Sequence, residues 1–272
     1  MMRDITLGQY YQTDSVLHRL DPRVKIVGTL VYIVSLFAAK NVTSYLVATT
    51  FLAIMIIISR VPFSFIVRGM KTIVFILLIT VLFNLLLTPG IPAYTIWKIT
   101  ISYEGIRSAA YTAVRLTFLI LGSSLMTLTT TPNNLTDGLE SLMKPLKVFR
   151  VPVHEIAMMM SIALRFIPIL MEETDKIMKA QLSRGADFES GGLIKRARNL
   201  IPLLVPLFVS AFRRANDLAM AMEARCYHGG EGRTKMKPLI YKSRDIAAYI
   251  LIVIYFLLLL TAQKYGFKLI RS

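Results

Sequence analysis

The chain has 272 residues, of which 55% are hydrophobic, with 32 Lys and Arg against 16 Asp and Glu and a formal charge of +16. A soluble domain holds about 45–50% apolar residues, whereas the excess here collects in runs at 26–39, 45–59, 72–88 and 246–262. Such runs suit a bilayer core about 30 Å thick, so the positive charge marks loops and headgroup contacts rather than a nucleic-acid surface, and no nucleic-acid motif occurs.

The first 23 residues are polar and lack the apolar core of a signal peptide, so insertion is expected to use internal segments. Leu20-Asp21-Pro22-Arg23 places Asp21 at an N-cap and Pro22 in the first helical turn. Span one follows at about 24–39 and span two at about 42–59, joined by a tight turn at Lys40-Asn41. The segment 60–71 carries Arg60, Arg68 and Lys71, with Pro62 as a breaker. Its Phe63, Phe65 and Ile66 suit the membrane interface.

Span three, about 71–88, ends at Thr88-Pro89-Gly90. Residues 90–107 include Trp97, Tyr94, Tyr103 and several β-branched residues, which predicts a short extended segment at the outer boundary. Span four is about 108–130. Arg115 lies within it, to be met by an internal partner or by snorkelling to the outer face.

From 131 to 244 there are 18 Lys and Arg against 11 Asp and Glu. A short helix is expected from Thr131-Pro132 to about Phe149, a second over 153–184 and a third over 192–226. Span five, about 245–263, closes the chain. Three parts result: 1–130 with four spans, 131–244 as a cytoplasmic helical domain, and 245–272 as the last span and tail. The fold class is all-α, a polytopic membrane protein with about five transmembrane helices. Basic loops place 60–71, 131–244 and the N-terminus inside, while Lys264, Lys268 and Arg271 in the tail oppose the outside C-terminus that this implies.

The second and third helices of the basic block hold apolar cores flanked by charge. Each core is too short for a clear span and too apolar for a lone solvated helix. Both helices end alike, at Ser183-Arg184-Gly185 and at Ala224-Arg225-Cys226. Gly185 suits the left-handed residue that closes a helix. An arginine in the last turn complements the helix dipole. That alone accounts for both arginines. The alternative is a pair of cationic prongs, 41 residues apart.

Together with Gly8-Gln9-Tyr10, the stretch Ser15-Val16-Leu17-His18-Arg19-Leu20-Asp21-Pro22-Arg23-Val24-Lys25, and Arg165-Phe166-Ile167-Pro168, these ends make the chain resemble the transmembrane T components of energy-coupling factor transporters, the EcfT/CbiQ family. That family ends its coupling helices in Ala-Arg-Gly. Here Ser183 replaces the first Ala and Cys226 the second Gly. The resemblance implies a non-enzymatic subunit of the prokaryotic plasma membrane. Its partners would be two cytoplasmic ABC ATPases, alike or different, and one or several membrane S components that bind a vitamin or micronutrient. Ser183, Arg184, Gly185, Ala224, Arg225 and Cys226 would meet the ATPases. Met158, Met159, Met160, Leu164, Leu203 and Leu207 would face the S component. The methionines are either an adaptable surface shared among several partners or core filler.

No Gly-x-x-x-x-Gly-Lys-Ser/Thr stretch occurs, so ATP would be held by the partner ATPases and no cofactor by this chain. His18, His154, His228 and the lone Cys226 have no metal-ligand spacing. A stand-alone permease would want paired polar groups within several spans. A membrane-embedded enzyme would want carboxylate pairs or a nucleophile with its base. Neither pattern is present in the predicted spans.

Overall fold

A computed structural model of the chain describes residues 10–68, 73–96, 99–188, 192–230, 236 and 238–269. The predicted contributions of Gly8-Gln9, Lys71, Trp97 and the tail beyond 269 lie outside the described residues. The helices are α1 (Pro22–Ala38), α2 (Val42–Ser59), α3 (Phe63–Arg68), α4 (Val74–Leu87), α5 (Tyr103–Thr129), α6 (Pro132–Met143), α7 (Val153–Ser183), α8 (Leu193–Asn199), α9 (Ile201–Ala224) and α10 (Ser243–Leu269). A 3₁₀ segment, Lys144–Phe149, follows α6. The extended segment expected near 90–107 is an antiparallel hairpin, β1 (Pro92–Ile96) and β2 (Ile99–Ser102), in an otherwise helical fold.

Four helices are long and apolar enough to cross a membrane by length and composition among the described residues: α2, α5, α7 and α10. Apolar α4 has 14 residues and α1 has 17. The all-α, polytopic class stands, but α7 joins the candidate spans. Its first 18 residues carry only Glu155 and Arg165 as charges; the charged second half had weighed against it in the sequence.

The chain divides into two compact units. One holds the described residues within 10–138 and 239–269. Its core joins Tyr32 and Leu36 of α1, Ala48 and Leu52 of α2, Leu121, Leu125 and Leu128 of α5, and Tyr255 and Leu259 of α10. Ile66 of α3 is buried in this core while Phe63 and Phe65 stay exposed, so the segment is anchored inward as well as lying along the surface. Phe51 stacks on Tyr255 at 4.1 Å, and the Tyr255 hydroxyl shares a buried 2.7 Å hydrogen bond with Ser35.

The N-terminal stretch is a knot of polar contacts at one end of this unit. Asp21 caps α1, accepting from the Arg23 backbone at 2.9 Å. The Arg23 guanidinium grips both Asp21 oxygens, donates to the Leu239 carbonyl and lies 3.7 Å from the Tyr241 ring. Burial opposes the Asp21 charge, yet the hydrogen bonds from Arg23 hold its carboxyl below the ordinary range. Asp245, 1% exposed, accepts the backbone N–H groups of Asp21 (2.9 Å) and Lys242 (2.8 Å), tying the start of α1 to the start of α10. His18 lies between Ser15 Oγ (2.7 Å) and the Tyr11 carbonyl (3.0 Å). A carbonyl can only accept, so Nε2 carries the proton and Nδ1 accepts from Ser15.

Arg115 finds an internal partner. Its Nε donates to Tyr45 Oη at 3.1 Å and its Nη2 to the Ala39 carbonyl at 3.3 Å, which satisfies the C-terminal end of α1.

The second unit holds 139–238, besides residues outside the described set. The helix expected over 192–226 is two helices, with Leu200 between α8 and α9. Pro202 has no backbone N–H to continue the ladder, so the chain restarts a helix there.

Candidate functional site: two arginine-tipped helices

Helices α7 and α9 pack on each other and carry the two predicted ends. Glu173 of α7 pairs with Arg214 of α9, and Ser210 Oγ donates to the other Glu173 oxygen at 2.9 Å. Further along α7, Gln181 Nε2 donates to the Pro202 carbonyl at 3.4 Å. Contacts that advance on α7 while retreating on α9 mean that the two helices run antiparallel.

Antiparallel packing sends the two C-termini in opposite directions. Arg184 follows Glu173 by eleven residues, and Arg225 follows Arg214 by eleven. At about 1.5 Å per residue, each tip lies about 16 Å of helix from the ion pair.

The tips themselves are closed by the same backbone device. In α7, Arg184 is the C-cap and Gly185 takes φ +87°. The Ala186 N–H bonds the Gln181 carbonyl and the Gly185 N–H the Leu182 carbonyl, each at 3.0 Å. In α9, Arg225 is the C-cap and Cys226 takes φ +54°. The Tyr227 N–H bonds the Met222 carbonyl at 3.0 Å and the Cys226 N–H the Glu223 carbonyl at 2.8 Å. Both are Schellman closures. They satisfy late carbonyls with backbone donors and leave each guanidinium free of that task. Ser183, Arg184, Gly185, Ala224, Arg225 and Cys226 are all exposed. Each tip is thus a rigid stem carrying an arginine with five donors in a planar fork, suited to a carboxylate.

The six predicted apolar positions separate. Met159 and Met160 are exposed, Met158 and Leu164 half-buried. On α9, Leu207 is half-buried and Leu203 is 5% exposed, so the open apolar stripe is formed instead by Leu204, Val205, Phe208, Val209 and Phe212. Sequence reasoning missed Glu173, Ser210 and Arg214 as the joint. No signal along the sequence marks them, because which acid meets which base depends on where two antiparallel helices cross. Among the described residues no group of His, Cys, Asp and Glu could hold a metal ion.

Residues 13–236 match the family described as cobalt transport protein. The energy-coupling factor transporter transmembrane protein EcfT of Clostridium kluyveri is 56% identical over 250 residues, covering 91% of this chain and 93% of its own. This chain belongs to that family. The EcfT of Heliobacterium modesticaldum is 51% identical, with 97% and 99% of the two chains covered, and that of Bacillus subtilis 46%, with 93% and 96%. Membership makes the chain a multi-pass membrane component of a transporter. The matched stretch includes both arginine tips and the polar knot formed by residues 15–25.

Proposed function

We propose that this chain is the coupling subunit of an energy-coupling factor importer. Arg184 and Arg225 each dock in an acidic groove on one of two cytoplasmic ABC ATPases, with Ser183, Gly185, Ala224 and Cys226 shaping the contact. ATP is held by those partners, and this chain carries no cofactor and no catalytic group. On this reading α7 and α9 lie on the cytoplasmic side, α7 being a candidate span by length and composition alone; closure of the ATPase pair moves the tips, and the two helices carry the displacement to a membrane S component that binds a vitamin or micronutrient. The observation that carries this reading is the pair of identically closed, arginine-bearing tips at opposite ends of one cross-braced helix pair.

The exposed Met159 and Met160 and the stripe from Leu204 to Phe212 offer apolar surface to the S component. Thioether side chains re-pack easily, which suits several S components sharing one coupling subunit. Affinity purification under varied vitamin supply tests sharing. Recovery of several S components supports it, and a single invariant partner contradicts it.

The motion is tested by spin labels at Asp187→Cys and His228→Cys, with Cys226→Gly, in the assembled complex. ATP should change the label separation by several ångströms. An unchanged distance with full ATP turnover would defeat the mechanism.

A further inference from the structure

The unit that holds α1, α2, α5 and α10 contains a cavity of about 330 Å³ at the end that carries the polar knot. Its wall is mostly apolar, including Val24, Phe51, Leu125 and Leu251. Two cations stand in that wall, Lys25 and Arg244.

Neither cation forms an ion pair among the described residues, although Asp21 and Asp245 lie near enough to attract Lys25. Lys25 Nζ donates to the Thr129 carbonyl at 2.7 Å and the His18 carbonyl at 3.4 Å. An ammonium has three protons, so one donor is left over. Arg244 makes no hydrogen bond or ion pair among the described residues, and its Nε is buried without a partner. The carboxylates nearby are already engaged: Asp21 by Arg23, and Asp245 by two backbone N–H groups. Lys25 and Arg244 are close enough to repel each other. Both side chains are half-buried, and the buried Arg244 Nε lacks an acceptor, which is costly to leave unmet; an anion from outside the chain would supply one. A free anion would match the two cations but not the apolar wall beside them.

We infer that this cavity binds one acyl chain of an anionic phospholipid, with the lipid phosphate on the Arg244 guanidinium and the Lys25 ammonium. Arginine forks suit phosphate oxygens, and cationic sites near the membrane surface favour anionic lipid. The bound lipid would fill the space between α1, α5 and α10. This inference does not depend on the coupling mechanism.

Native mass spectrometry of the delipidated full chain tests it, with phosphatidylglycerol and phosphatidylcholine of the same acyl chains added in turn. Phosphatidylglycerol should bind more tightly. Arg244→Gln should weaken it about fivefold, the scale of one cation near a membrane surface, while leaving phosphatidylcholine unchanged. Arg244→Lys should retain most of the preference, which separates lost charge from lost fold. Ala248→Phe, which blocks the cavity and keeps both cations, should reduce binding of both lipids. Equal binding of the two lipids by the native chain would overturn the inference. So would an unchanged phosphatidylglycerol affinity in Arg244→Gln, or full displacement by inorganic phosphate at the lipid's own concentration.

Discussion

Glu173 and Arg214 join α7 to α9, and each lies eleven residues before the arginine that tips its own helix. The pair is half-exposed, and ion pairs of this kind contribute about 0–1 kcal/mol to stability. Its value is geometric, because it sets where the two antiparallel helices cross. Glu173→Arg should therefore lower reconstituted uptake severalfold while shifting the melting temperature little. The exchange Glu173→Arg with Arg214→Glu should restore uptake. Failure of the double variant, when it is folded and assembled, would show that the pair is not the joint.

The two tips share one closure but not one residue. Gly185 takes positive φ at no steric cost, whereas Cys226 does so with a side chain, at a cost of about 1–2 kcal/mol. Cys226→Gly should stabilise the end of α9 by about 1 kcal/mol, read as slower proteolysis after Arg225, and should leave uptake intact. Gly185→Val should do the reverse at the end of α7. An unstable Cys226→Gly protein would mean that the thiol makes a contact of its own.

Asp245 satisfies two backbone donors that start different helices. Asp245→Ala leaves both without that acceptor, at about 1–3 kcal/mol for each that stays dry. The variant should melt several degrees lower by scanning calorimetry in detergent. A wild-type melting temperature would show that water replaces the carboxylate.

His18 is held neutral. Burial lowers its pKa below the ordinary 6.5, so the unfolded chain takes up a proton more readily than the folded one. Stability is therefore complete above about pH 6.5 and declines as the pH falls through the lower folded value. Melting temperatures between pH 7.5 and 5 should fall for the native chain and fall less for His18→Gln. Parallel curves would place the acid sensitivity elsewhere.

Local chemistry made some features legible in the sequence. Asp21-Pro22 announces a capped helix start, Gly185 a helix end, and the apolar runs the bilayer. What escaped depends on tertiary contact. A helix apolar on several faces, like 201–212, does not reveal which leucine turns inward: Leu203, expected at the S-component interface, is buried by the fold. Pro202 was visible, but whether a proline kinks a helix or splits it depends on what packs beside it. Asp245 is a first-turn acid of α10, and only the return of α10 beside α1 makes it a bridge. The joint of Glu173 with Arg214 depends on where two antiparallel helices cross, which spacing along the chain does not give.

In the proposed mechanism two arginines carry the chain's grip on its ATPases. Affinity purification of the Arg184→Glu, Arg225→Glu double variant from native membranes, with vitamin uptake measured in the same cells, tests it most directly. The expected result is a folded membrane protein that recovers its S component, loses both ATPases and transports nothing. Co-purification of the ATPases with uptake near the native rate would contradict it.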